Sequence, residues 1–167
     1  MGLDIRMYPS ANPVLGGAID TAALLGTLTL TSEQSVPAAS WGSVTSEQST
    51  ETTRYFHKKV WVKNHEAVTI SDPEIWFEES EYPDQVTVAR AGTDSGSVSE
   101  PYAMPTGFSS SDFISCAAYE DRIALKVDSS DLTTAETVAL WVRVKAAPGL
   151  VADASAVTTL KLKGYRN

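Results

Sequence analysis

The sequence predicts an all-β chain: an immunoglobulin-like antiparallel β-sandwich of about seven strands behind an extended N-terminal arm, with a small β-barrel as the alternative. Three observations lead there. Apolar residues alternate with period two over several segments, which places them on one side of a strand but would scatter them around a helix. Clusters of turn-forming residues separate those segments. Helix-compatible stretches are scarce, the exception being a short turn at Ser109 to Ile114, where serines and Asp112 offer capping groups ahead of Phe113 and Ile114.

Taken in order, residues 1–26 form the arm and residues 27–167 the β domain. In the arm Pro9, Asn12-Pro13 and Gly16-Gly17 break any regular element, while Tyr8, Val14, Leu15 and Ile19 keep apolar contacts to offer. The first strand is read at Thr27 to Thr31 around Leu28 and Leu30. A Ser/Thr-rich surface connection follows over 31–53, containing Thr-Ser-Glu-Gln-Ser twice, and it has room for an edge strand. The second strand sets Phe56, Val60 and Val62 against Tyr55, His57, Lys59 and Trp61, with Lys58 interrupting the apolar side. After the turns Asn64-His65-Glu66 and Ser71-Asp72-Pro73, the third opposes Ile75 and Phe77 to Glu74, Trp76 and Glu78. Gln85 to Ala89 makes the fourth around Val86 and Val88. Arg122 to Val127 makes the fifth, with Ile123, Leu125 and Val127 pointing inward. The clearest is the sixth, Val138 to Lys145, where Val138, Leu140, Val142 and Val144 oppose Ala139, Trp141, Arg143 and Lys145. Pro148-Gly149 turns the chain into a last strand at Val157 to Lys163 around Leu160 and Leu162.

With 167 residues the chain is long enough to bury a sizeable core without a metal or disulfide staple. Its mean hydropathy of -0.12 and lack of a long apolar run argue against a membrane span, and its N-terminus, with Asp4 and Arg6, lacks the basic start and apolar run of a secretory signal. Thirteen basic against 21 acidic residues give a net charge of -8, unevenly spread: residues 54–63 carry four bases and no acid, residues 64–100 nine acids and one base. Such a balance argues against direct nucleic-acid binding.

Signatures of catalysis are missing. Cys116 is the only cysteine, which excludes an intrachain disulfide and a cysteine zinc site and reads as a small buried side chain. His57 and His65 sit in no catalytic signature and read as strand or turn residues. Gly16-Gly17 is followed by no lysine placed to reach a phosphate, so no nucleotide cofactor is expected. Glu78, Glu79, Glu81 and Asp84 form an acidic rim with calcium as its minor reading, since no loop signature organises them. No catalytic, cofactor or metal residue is therefore assigned.

The aromatic residues are more informative. Trp61, Trp76 and Trp141 all fall on the side of their strands opposite the aliphatic one, where a core does not need them. Such rings either cover the sheet beneath a loop or arm, or supply contact area at an interface. A third use is sugar stacking, which would make the chain a glycan-binding module. Tyr8, Val14, Leu15, Ile19, Trp61, Trp76 and Trp141 are the candidate interface residues, the first four through docking of the arm on a neighbouring subunit.

The run Lys58-Lys59-Val60-Trp61-Val62-Lys63-Asn64, followed by a turn and Asp72-Pro73-Glu74-Ile75-Trp76-Phe77, resembles small β-rich virion proteins of tailed bacteriophages. That group has a Gly-Gly-Ala-Ile segment similar to Gly16-Gly17-Ala18-Ile19 and then an aromatic strand ending in Val-Lys-Asn, in the same order as here. Its last strands look like Val138 to Val144, a Pro-Gly turn similar to Pro148-Gly149 and a Thr/Leu-rich final strand. His57-Lys58 stands where the group often has Tyr-Arg, and the 31–53 stretch has no counterpart. The resemblance implies a homo-oligomeric structural protein made in the host cytoplasm and placed on the virion by packing against other virion proteins. A capsid decoration or cement protein is its foremost reading, and a tail, baseplate or fibre connector the alternative. It carries over no catalytic residue.

Overall fold

A computed structural model describes residues 5–8, 26–28, 34–35, 53–79, 86–92, 96–97, 103–146 and 158–167. They hold β1 (Ile5–Tyr8), β2 (Gly26–Leu28), β3 (Gln34–Ser35), β4 (Arg54–Asn64), β5 (Ile70–Glu79), β6 (Val86–Gly92), β7 (Ile123–Ala124), β8 (Thr137–Ala146) and β9 (Thr158–Arg166). No α-helix occurs among the described residues; two single turns of 3-10 helix, Ser110–Asp112 and Tyr119–Asp121, are all the helix they contain. None is long and apolar enough to cross a membrane.

Every strand pairing is antiparallel, and the strands divide between two sheets ordered β2-β1-β4-β8-β6 and β3-β9-β5-β7. The chain crosses between sheets from β4 to β5, back from β5 to β6, and again from β8 to β9. Period two explains why both sheets are held by one core. Val60 and Val62 of β4, Val138, Leu140 and Val142 of β8, and Val86 and Val88 of β6 join Ile75 and Phe77 of β5 and Leu160 and Leu162 of β9 in a single buried cluster. Ile70, Leu125, Leu132, Cys116 and Trp76 also belong to it, so the cysteine is a core residue.

Several expectations are corrected. The described residues hold nine strands rather than about seven, because short segments pair at the sheet edges. Tyr8, read as part of an extended arm, ends a strand in register with Trp61 of β4, and the rest of β1 pairs with both β4 and β2. Val14, Leu15 and Ile19 lie outside the described residues. Arg122 to Val127 is not a full strand: only Ile123–Ala124 pairs, with Glu74 and Ile75, and Val127 is 66% exposed instead of inward. Asp128 ends the alternation there, its carboxylate accepting both the backbone N–H (3.0 Å) and hydroxyl (2.7 Å) of Ser130 and closing a turn with Ser129 at φ +54°.

Ser71-Asp72-Pro73, read as a turn, lies inside β5. Register with β9 slips between Ser71 and Glu74, so the chain absorbs the proline, which has no N–H to give the ladder, and the left-handed Asp72 (φ +48°) as a bulge. Gly164 of β9 lies opposite. A Cβ there would run into Ile70 Cγ2 in the core, with the Ser71 carbonyl oxygen at 3.3 Å and Pro73 Cα at 3.7 Å. Gly164→Ala is therefore expected to cost about 1–3 kcal/mol by overpacking. A urea midpoint equal to that of the parent would show that this approach is looser than described.

Candidate docking faces

The first sheet has an outer side that the shared core does not use, and it holds Trp61 and Trp141, whereas Trp76 of the second sheet is grouped with the shared core. On the first sheet β4 and β8 run in register, Lys59 opposite Trp141 and Trp61 opposite Ala139, while β6 sets Ala89 opposite Trp141. The alanines leave room for the indoles, and Trp61, Trp141, Ala89, Ala91, Ala139 and Phe113 form a second buried cluster with Phe108 packed on it.

What covers this face is chain around Gly96 and from 103 to 114. Val88 exchanges hydrogen bonds with Ile114 (3.0 and 2.9 Å), Thr106 N–H reaches the Ser97 carbonyl (2.9 Å), and Lys59 Nζ donates to the Gly96 carbonyl (2.6 Å) while lying 5.5 and 5.1 Å from the Trp61 and Trp141 rings. Gly96 (φ +79°) must be glycine, because a Cβ would lie 2.9 Å from Phe108 Cε2 and 3.0 Å from Trp141 Nε1. The turn read at Ser109 to Ile114 is present and aims Phe113 at the sheet: the Asp112 carboxylate accepts the Ser109 N–H and hydroxyl, both at 2.7 Å. Those bonds, the hydroxyl's first, hold the Asp112 carboxyl below its usual range.

At one end of the face His57, opposite Arg143 in register, packs 5.3 Å from the Phe113 ring and is 7% exposed, neither ring nitrogen having a hydrogen-bond partner. Burial first, and then the Arg143 charge, hold its pKa below 6.5 against a smaller opposing effect of the Ala103 backbone. The fold therefore favours neutral imidazole. Its contribution is complete above pH 6.5 and is lost as pH falls from there through the lowered folded value. Melting temperatures should fall with acidification across that window in the parent and less steeply in His57→Gln; equal slopes would contradict the assignment.

The second sheet is built differently. Trp76, on the side of β5 away from Ile75 and Phe77, meets Tyr119 edge-on at 5.1 Å. Arg122 lies 4.4 Å from the Tyr119 ring and donates to Glu74 at 2.8 Å, which raises its already high pKa. Lys163 donates to the Tyr119 hydroxyl (3.2 Å) and sits 5.4 Å from the Tyr165 ring; the hydrogen bond to Tyr119 is the main reason its pKa is raised. Tyr119 and Tyr165 remain 42% and 54% exposed.

Of the alternatives the sequence left for the tryptophans, cover is what the described residues display: Trp61, Trp76 and Trp141 are 7%, 7% and 3% exposed and are not free contact area. The indole N–H groups of Trp61 and Trp76 are buried without an acceptor. The exposed aromatics are instead Tyr55, Tyr119 and Tyr165, which alternation alone did not single out. Among the described residues no three His, Cys, Asp or Glu side chains gather as metal ligands, and the acidic stretch at Glu81 and Asp84 lies outside them.

The motif Val62-Lys63-Asn64 ends β4 at a junction. Asn64 is fully buried; its Nδ2 donates to the carbonyls of Val68 (3.0 Å), Leu132 (3.1 Å) and Thr133 (3.1 Å), and its Oδ1 accepts the Glu66 N–H (2.8 Å). One side chain thus ties the β4–β5 turn to the segment before β8. Nearby, burial pushes the Glu136 carboxyl up, but Lys126 at 2.7 Å and the Thr133 N–H and hydroxyl outweigh it and leave its pKa lowered. Compared with known proteins, the chain matches no family model, no curated protein and no solved structure.

Proposed function

We propose that this chain is a non-enzymatic structural component of a tailed-bacteriophage particle, a decoration or cement protein seated on the major capsid lattice, with its two sheets forming an immunoglobulin-like sandwich. The observation that carries the reading is Asn64. It is the last residue of the Val-Lys-Asn run through which the chain resembles that group of virion proteins, and here it is a wholly architectural residue, all of whose polar atoms bond backbone. A chain that builds its motif into a junction and fills the outer side of a sheet with covered rings invests in a rigid surface, which attachment by packing needs. The glycan reading loses support, because sugar stacking requires open ring faces and Trp61 and Trp141 are closed over.

Its partners are other virion proteins and further copies of itself, and its place is the virion, after synthesis in the host cytoplasm. The test is binding of the purified chain to particles that lack it. Saturable binding at a fixed number of copies per capsid is the expected result. Saturation at the tail would move the role to a connector, and absence of the chain from purified particles would overturn the reading.

A further inference from the structure

We propose that the corner of the first sheet formed by Arg143, Tyr55, Thr87 and Lys145 is a carboxylate-binding site whose occupant is an acidic segment of another protein. It rests on reading the chain as a docking component and names the chemistry of the partner.

The argument begins with what surrounds Arg143. Its Nε donates to Thr87 Oγ1 at 3.0 Å, and its guanidinium carbon lies 5.0 Å from the Tyr55 ring and 4.4 Å from the Phe113 ring. Arginine has five N–H donors in a planar fork that matches a carboxylate with two parallel bonds. Among the described residues only Nε has a hydrogen-bond partner. Arg122 and Arg166 each have a carboxylate, Glu74 at 2.8 Å and Glu66 at 2.7 Å, but no carboxylate among the described residues reaches Arg143. The group is nevertheless half-buried, and burial disfavours its charge. A guanidinium fixed by two rings and a hydroxyl, with no carboxylate among the described residues opposite its terminal nitrogens, is organised to take an anion.

The neighbourhood has the same sign. Lys145 faces Tyr55 across the β4–β8 ladder, and alternation puts Lys59 and Lys63 on this side of β4. Outer positions of β4, β6 and β8 carry no acid, although the chain's net charge is -8. Asp112, on the covering segment, is occupied by Ser109. Beside Arg143, across the β4–β8 ladder on the same side of the sheet, lies His57, more than nine-tenths buried and carrying no negative charge. Charge complementarity therefore selects an acidic occupant. The site lies toward the ends of its strands beside the 38% exposed Tyr55, and Tyr and Arg are both enriched among the residues that carry interface binding energy.

The chain has two histidines, which makes the test direct. The groups facing His57 are Tyr55 and Lys59 of β4, Arg143 and Lys145 of β8, and, from the covering segment, Phe113 and the Ala103 backbone. An anion on Arg143 offsets the nearest positive charge, so the His57 titration midpoint should rise. The full chain is titrated at low salt with a hexaglutamate peptide and, separately, with inorganic phosphate, while the imidazole protons are followed by NMR. Expected are a saturable shift of His57 with hexaglutamate and an upward move of its midpoint, with His65 unmoved. Arg143→Gln should weaken binding by roughly tenfold to a hundredfold, as loss of charged hydrogen bonds does. Arg143→Lys, which keeps the charge but loses the fork, should fall between and serves if Arg143→Gln folds poorly. An unmoved His57, equal affinity in the lysine variant and the parent, or equal response to phosphate would overturn the proposal. Parent and Arg143→Lys bound equally well to particles would sink this site while leaving the structural role intact.

Discussion

Asn64→Asp is expected to cost the fold about 3 kcal/mol or more, the largest effect of any near-isosteric change in the chain. The side chain is fully buried and its Nδ2 faces the carbonyls of Val68, Leu132 and Thr133 at 3.0–3.1 Å. A carboxylate there would set an anion against three carbonyl oxygens and remove the amide donor they share, leaving the Leu132 and Thr133 carbonyls only the backbone N–H groups of Ile70 and Glu136. Against a typical total of about 5–15 kcal/mol, the loss is a large fraction. The pH dependence has a definite sign. A buried aspartate facing carbonyls binds its proton more tightly folded than unfolded, so the variant should regain stability as pH falls, where the parent loses it through His57. Urea unfolding at two pH values checks both statements, and a midpoint within experimental error of the parent would show that Asn64 is not the junction described.

Trp141→Ala should cost about 3–5 kcal/mol, the range for emptying a buried aromatic site. The ring is 3% exposed, lies 5.1 Å from the Lys59 ammonium and sits against Gly96, so its loss removes a floor on which the covering segment rests. The expected signature is a lower melting temperature together with faster amide exchange at Thr106 and Phe108, whose backbone N–H groups bond Ser97 and Pro105. An interface tryptophan would behave otherwise. Unchanged stability with lost particle binding would restore Trp141 as contact area.

The strands carrying the core were legible because period two is a strong signal where both faces have a definite environment. β8 was read almost to the residue, and β4, β5, β6 and β9 were found with ends off by a few positions. The alternation at Arg122 to Val127 misled, since a local Asp128 turn outcompeted pairing and sequence pattern does not weigh a side-chain bond against a ladder. Pro73 hid the first half of β5 for a related reason: proline marks turns and bulges alike.

The sites were less legible. The outward tryptophans were found by alternation, but the chain that covers them was not, because Gly96–Ser97 and 103–113 offer only Met104, Phe108 and Phe113 as large apolar residues, set among glycine, serine and proline without period. Asn64 read as an ordinary turn former, since its partners Leu132 and Thr133 are distant in sequence. Arg143 looked like one more solvated cation on a polar face; what distinguishes it is that no carboxylate among the described residues reaches it, which only three dimensions display.

A density map of purified virions, at a resolution that traces strands, decides whether the chain seats a rigid β surface on a particle as proposed. Expected is density for both sheets at symmetric positions on the capsid, with the Arg143 corner against a neighbouring protein. Particles that are complete and infectious without such density, from a host that makes the chain in quantity, would contradict it.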